Sequence, residues 1–152
     1  GCEKEDGDGV EGKTLWQPSS KGDFGLESIT EIVKDASKEI KTISAVEAKK
    51  LSDEGKCNLI DIRDSQELKI SGSIENAVNI SRGLLEFGMH SESPLIKENK
   101  IDLNKEIVLF CAAGGRSALA AKTLQDMGFK KVSHIDGGFG SLKQSKFKIL
   151  KS

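Results

Sequence analysis

The stretch Ile107-Val-Leu-Phe-Cys111-Ala-Ala-Gly-Gly-Arg116-Ser117 governs the reading of this chain. Four apolar residues, too few for a helix, end at a cysteine. Small residues and an arginine follow, then an apolar pattern at helical spacing through Ala120, Leu124 and Met127 that stops at Gly128. The order predicts a buried strand, a tight loop and a helix whose amino terminus faces back at Cys111. Chemically it is a thiol aimed into a ring of backbone N–H groups, with a guanidinium beside it. An ordinary thiol, with a pKa near 8.5, is only about 3% ionised at neutral pH. Lowering that pKa by about two units needs about 2.7 kcal/mol of differential stabilisation. A helix amino terminus contributes at most about 2 kcal/mol, and loop N–H donors and the Arg116 charge are there to add the rest. The arrangement makes a reactive thiolate. A buried strand-end cysteine is the plainer alternative, and the glycines and arginine just after it weigh against that.

Outward from this stretch, the chain alternates. Leu59 to Ile62, Ala77 to Ile80, Ile107 to Phe110 and Val132 to Ile135 read as strands. Between them, Asp64-Ser-Gln-Glu67 caps a short helix through Leu68 and Ile70, and a helical segment surrounds Leu84, Leu85 and Phe87. A closing helix lies around Leu142, after Gly137-Gly138. Upstream, Ser44-Ala-Val-Glu47 is a capping box that starts a helix ending near Gly55, just after the apolar step Thr42-Ile43. Ser28-Ile-Thr-Glu31 starts an additional helix with Ile29, Ile32, Val33, Ala36 and Ile40 on one stripe, expected to pack on the domain. The expected organisation is an arm over residues 1–27, an N-terminal helix over 28–41 and one α/β domain over 42–152. That domain has a central parallel sheet of about five short strands with helices on both faces. In such sheets ligands sit at the carboxyl ends of strands. Cys111, Asp61 to Asp64, Ser81-Arg82 and Asp136-Gly137 all fall there.

Composition limits the function classes. Hydrophobic residues make up 36% of the 152, and sixteen glycines join them, so a core is affordable. Lys+Arg 23 against Asp+Glu 24 advertises neither nucleic acid nor an anionic membrane. No apolar run approaches the roughly 18 residues of a membrane span. Cys2, Cys57 and Cys111 show no CxxC pairing and no clustering with His90 or His134, which argues against zinc and against a disulfide framework. Cys57 reads as a surface or strand-edge residue. Gly1-Cys2, without an initiator Met, reads as a processed or engineered end, the alternative being a lipid-anchored cysteine with a flexible tether. The compartment expected is cytoplasmic, with a lipid-anchored or periplasmic location through Cys2 as the other reading. The acidic, Gly-rich arm shows no packing periodicity, and its Trp16 is expected to dock on its own domain or on a partner.

Leu59-Ile-Asp-Ile-Arg63-Asp-Ser-Gln-Glu67, Cys111-Ala-Ala-Gly-Gly-Arg116-Ser117 and Asp136-Gly137-Gly138 together resemble a rhodanese domain, the sulfurtransferase family, from about Thr42 to Lys146. Ser81-Arg-Gly-Leu-Leu-Glu-Phe87 also resembles a segment of some single-domain bacterial members. The resemblance implies transfer of a sulfane sulfur. Cys111 would take it from thiosulfate or a similar donor as a persulfide and pass it to cyanide, a thiol or a sulfur-acceptor protein. No metal or organic cofactor is implied. Cys111 would be the nucleophile; Ala112, Ala113, Gly114, Gly115 and Ser117 would cradle the anion; Arg116 would stabilise charge or bind the donor. Asp61 and Arg63 would be structural supports. Arg82 is open to two roles, a second positive charge at the pocket mouth or a salt bridge with Glu86. His90 and His134 read as bystanders, since no base–nucleophile pattern surrounds them. The chain departs from the family in having Gly72-Ser73-Ile74 where Gly-His-Ile is frequent, and Leu142 where a tryptophan often follows the Gly-Gly pair.

Two other readings compete. A phosphatase or arsenate reductase would need five residues between its cysteine and arginine to surround a tetrahedral oxyanion, and Cys111 to Arg116 leaves four. A non-catalytic rhodanese-like module for binding, regulation or persulfide relay would keep the fold without the turnover. The presence of Cys111 weighs against it, and the Trp16 arm and extra helix keep it open.

Overall fold

The computed structural model describes residues 25–151, so the arm's Cys2 and Trp16 lie outside the described residues. The chain divides into two units between Ile32 and Val33. Helix α1 (Ile29–Ser37) opens with Ser28 Oγ accepting from Glu31 N–H at 3.2 Å. From Val33 onward, Ala36 of its apolar stripe is buried and Ile40 packs against one of the two core clusters.

Five parallel strands form the central sheet: β1 (Lys41–Ile43), β2 (Cys57–Asp61), β4 (Val78–Asn79), β5 (Glu106–Phe110) and β6 (Val132–Ile135). Their order is β1-β6-β5-β2-β4, so β5 is central and borders β2 and β6. Two helices begin at the expected caps. Ser44 Oγ accepts from Glu47 N–H at 3.0 Å to start α2 (Ala45–Asp53). Asp64 and Glu67 make a reciprocal capping box at the start of α3 (Ser65–Ser71). A 3-10 turn (Arg82–Leu84) leads into α4 (Leu85–Gly88), and Ser93 caps α5 (Pro94–Lys97). Helix α6 (Gly115–Asp126) follows the Cys111 loop, and α7 (Gly138–Gln144) follows Gly137.

Strand alternation sorts the core into two layers. Ile107 and Leu109 join Ala120, Ala121 and Leu124 of α6 on one face, and Cys111 continues that series. Val108 and Phe110 point the other way, to Ala45 and Ala48 of α2 and Phe139 and Leu142 of α7. Both sheet faces are therefore covered by helices, as parallel pairing requires. Leu142, standing where the family often has tryptophan, is fully buried in that second layer.

A second sheet was not foreseen. Strands β3 (Ser73–Ile74) and β7 (Ile149–Leu150) pair antiparallel, two residues each. Gly72 makes this possible: its φ is +91°, and a Cβ there would meet Ile149 Cγ2 at 2.8 Å and Leu150 O at 2.9 Å. The Gly72-Ser73-Ile74 departure thus sits in a two-strand ribbon that ties in the end of the domain.

Candidate active site

Strand β5 delivers Cys111 to the carboxyl edge of the sheet, with the residue 1% exposed. The chain then curls back over its sulfur. Gly114 takes a φ of +116°, a conformation open to glycine, and caps α6. This turns its N–H onto Cys111 Sγ at 3.1 Å. Ser117 N–H, in the first turn of α6, donates to the same sulfur at 3.3 Å, and Ser117 Oγ lies 3.5 Å from it. Burial of the thiol opposes ionisation. The Ser117 hydroxyl and the N–H groups of Ser117, Gly114 and Ala113 outweigh it, so the thiol is held below its ordinary value. Cys57 has no such donors, and burial together with Glu106 pushes its thiol up to about 11. The two described cysteines differ by their surroundings alone.

The Gly137-Gly138 pair closes the loop from above. Phe139 N–H donates to the carbonyl oxygen of Cys111 at 2.8 Å. Gly138 has a φ of +56°, and a Cβ there would press on the Cys111 carbonyl oxygen and approach Ala112 O at 2.7 Å. Both neighbours are backbone and cannot swing aside. Gly138→Ala is therefore expected to destabilise the fold by about 2–3 kcal/mol, read from denaturant unfolding, and to slow alkylation of Cys111 by displacing the loop.

The guanidinium of Arg116 is engaged by α3. It grips Glu67 of α3 in a bidentate pair, Nη1 to Oε2 and Nη2 to Oε1, both at 2.8 Å. Glu67 therefore both caps α3 and holds the loop's arginine, a partnership the capping pattern alone did not announce. The Arg116 hydrogen bond lowers the Glu67 carboxyl to about 2. A carboxyl whose pKa is depressed in the folded state adds stability above its ordinary 4.5, and that stability is lost only as the pH falls toward about 2. The pair thus stays intact across the neutral range. Glu67→Gln keeps the cap's acceptor but removes the negative charge from Arg116. It should lower the pH midpoint of Cys111 alkylation by about half a unit, measured with iodoacetamide.

The remaining residues singled out in the sequence are placed as follows. Ala112 and Ala113 are exposed at its rim, and Gly115 is the first residue of α6. Arg82 engages Glu86 at 3.0 Å and Thr123 Oγ1 at 3.2 Å. Asp61 and Arg63, each 1% exposed, bind one another: Arg63 Nε to Oδ1 at 3.0 Å and Nη2 to Oδ2 at 2.7 Å. Arg63 also reaches Gly72 O at 2.9 Å and lies 4.0 Å over the ring of Phe139. The pair therefore props the residue whose N–H fixes the Cys111 carbonyl. His90 is exposed. His134, read from sequence as a bystander, is not isolated, because its Nδ1 lies 2.8 Å from Ser117 Oγ. Its place on β6 beside β5, sharing a face with Val132, was the available signal. A cavity of about 500 Å³ opens elsewhere, among Lys41, Lys56, Lys105 and Lys131 at the amino ends of the strands.

Residues 44–145 match the model of a rhodanese-like domain. A solved structure from Rhodopseudomonas palustris, a protein of unknown function described as a possible tyrosine phosphatase, aligns over 92% of this chain and 99% of its own, with a TM-score of 0.72 and 34% identity. The polysulfide-sulfur transferase homodimer of Wolinella succinogenes aligns over 81% of this chain and 87% of its own, with a TM-score of 0.62 and 33% identity. The tRNA uridine(34) hydroxylase of Escherichia fergusonii is 28% identical over 130 residues, which cover 84% of this chain. The match spans only 36% of that relative's length. No described helix is long and apolar enough to cross a membrane.

Proposed function

The chain belongs to the rhodanese-like domain family, and from that premise we propose that it is a sulfurtransferase working through a persulfide on Cys111. The observation that carries this reading is the sulfur held by Gly114 and Ser117 N–H at 3.1 and 3.3 Å. These donors suit a thiolate and, one bond further out, a persulfide anion, so the same groups serve both half-reactions. In the first, the Cys111 thiolate attacks the outer sulfur of thiosulfate or a polysulfide. The donor's S–S bond breaks, and sulfite or a shortened polysulfide leaves with the electron pair. In the second, cyanide or a thiol attacks the terminal sulfur of the persulfide, and Cys111 departs as the thiolate. No general base is required once the thiol is ionised.

Arg116 and Glu67 divide the electrostatic work. Paired as they are, they present little net charge, and the thiolate depends on local N–H and O–H donors rather than on a bare cation. The exposed Ala112 and Ala113 leave the rim unobstructed, which suits attack by an acceptor on the outer sulfur. The description of the Rhodopseudomonas relative makes phosphate ester hydrolysis the competing chemistry. With four residues between Cys111 and Arg116, the loop is one short of the phosphate ring. The hydroxylase named among the relatives contains much chain that this one does not match, so its tRNA chemistry is not assigned to this domain.

The test offers thiosulfate, a polysulfide and an aryl phosphate to the same protein. Sulfur transfer to cyanide from either sulfur donor, without phosphate release, supports the reading. Cys111-dependent release of phosphate without sulfur transfer overturns it.

A further inference from the structure

The hydrogen bonds around Ser117 continue past the loop. His134 on β6, 5% exposed, has Nδ1 at 2.8 Å from Ser117 Oγ and Nε2 at 3.1 Å from Thr42 Oγ1. Thr42 sits opposite His134 in the register of the edge strand β1, and it is exposed. Four groups therefore run in line from a buried sulfur to solvent: Cys111 Sγ, Ser117 Oγ, His134 and Thr42 Oγ1.

A neutral imidazole carries one N–H and one bare nitrogen, so this line has two self-consistent directions. In one, Cys111 S–H donates to Ser117 Oγ, Ser117 O–H donates to His134 Nδ1, and His134 Nε2–H donates to Thr42. In the other, Thr42 O–H donates to Nε2, Nδ1–H donates to Ser117 Oγ, and Ser117 O–H donates to Cys111 Sγ. The first fits a thiol. The second suits an anionic sulfur, which is the stronger acceptor. The Ser117 hydroxyl has a competing acceptor, Gly114 O at 3.3 Å, but an ionised sulfur is the stronger attraction.

Building on the sulfur-transfer reading, we propose that Ser117, His134 and Thr42 form a proton relay that reverses direction when Cys111 ionises, with His134 as the positioning residue that turns the Ser117 hydroxyl toward the sulfur. The proton count closes. The thiol proton passes to Ser117 Oγ as the serine proton moves to Nδ1; the Nε2 proton passes to Thr42, whose own proton goes to water. One S–H bond breaks and one proton reaches solvent, and nothing is oxidised or reduced. Return of the thiol runs the line backward.

The charged groups that bear on this line are Arg116, which acts on Cys111, and Asp136, which acts on His134. Burial holds His134 below its ordinary value against the pull of Asp136, so the ring is neutral where a thiol titrates. A relay of this kind needs a neutral ring, since an imidazolium would have no bare nitrogen to accept.

The experiment follows the thiol and the ring separately. With isotope-labelled histidine, the nitrogen shifts of His134 should switch from the Nε2–H to the Nδ1–H form as Cys111 titrates, and stay unswitched in Cys111→Ala. His134→Phe should raise the thiol midpoint about one unit and so slow iodoacetamide alkylation about tenfold at pH values well below that midpoint. His134→Asn, whose amide N–H can donate to Ser117 Oγ but cannot pass a proton on, should restore part of the thiol midpoint, which isolates the positioning role, while exchange through the line stays lost. Thr42→Val, at an exposed strand edge that risks little folding, should shift the midpoint the same way by a smaller amount. A His134 tautomer that ignores the state of Cys111, or an unchanged alkylation profile in folded His134→Phe or in Thr42→Val, overturns the relay. Sulfur loading from thiosulfate is measured on the same samples. Loading with no sensitivity to His134 and Thr42 sinks the relay alone, whereas a working relay in a protein that never takes up sulfur sinks the sulfurtransferase reading alone.

Discussion

Cys111→Ser should lower sulfur transfer from thiosulfate to cyanide by at least about three orders of magnitude, with the fold retained. The substitution is nearly isosteric, and the donors from Gly114 and Ser117 that satisfy the sulfur can satisfy a hydroxyl oxygen. What it removes is ionisation. An alcohol is far too weak an acid to ionise near neutral pH, and the N–H groups and neutral imidazole that suffice for a thiol do not lower it far enough. A steady-state assay beside a denaturant unfolding curve separates the two effects. Unfolding midpoints should match while transfer disappears. Transfer surviving in the serine variant would move the sulfur to another group, Cys57 being the other described thiol.

The largest loss of stability is expected from Asp61→Ala. It strands the Arg63 guanidinium, whose side chain is 2% exposed, without its carboxylate. Breaking a buried pair on one side costs about 3–5 kcal/mol, because the remaining charge is neither solvated nor neutralised. Arg63 keeps its bond to Gly72 O and its place over Phe139, and neither replaces a counter-charge. The companion Asp61→Ala with Arg63→Met should recover much of the loss, since the charge is then gone as well. Chemical unfolding of the three proteins reads this directly. A single variant as stable as the double would mean that the pair carries no such stress. The consequence extends to the thiol loop, since Phe139 N–H holds the Cys111 carbonyl at 2.8 Å.

How much of this was legible in the sequence follows from the range of each signal. The strand ending at Cys111, its loop and α6 were legible because they are contiguous: an apolar run, small residues and a helical stripe follow one another. The parallel pairing of the strands was legible because helices alternate with them, whereas their order was not. The β3–β7 ribbon was not, since two residues pair with two others more than seventy positions away and no periodicity fits in so short a strand. Glu67 was read as a cap, and that local explanation sufficed, which hid its grip on Arg116. His134 was passed over for a related reason. No neighbour in sequence makes it a base, and only the packing of β6 and β1 beside α6 puts Ser117 and Thr42 on its two nitrogens.

A division of labour follows for the loop. Backbone donors and one hydroxyl stabilise the anion at short range, and Arg116 is tethered by Glu67 instead of serving as a free counter-ion. On the sulfur-transfer reading, donor preference would then rest on the rim around Ala112 and Ala113.

The most direct measurement is the intact mass of the native chain after incubation with thiosulfate, followed by fragmentation to locate the added mass. A gain of one sulfur atom on Cys111 is expected, removed by cyanide and absent in Cys111→Ser. A folded native chain that never acquires sulfur from thiosulfate or a polysulfide, or one that carries it only on Cys57, would contradict the sulfurtransferase reading.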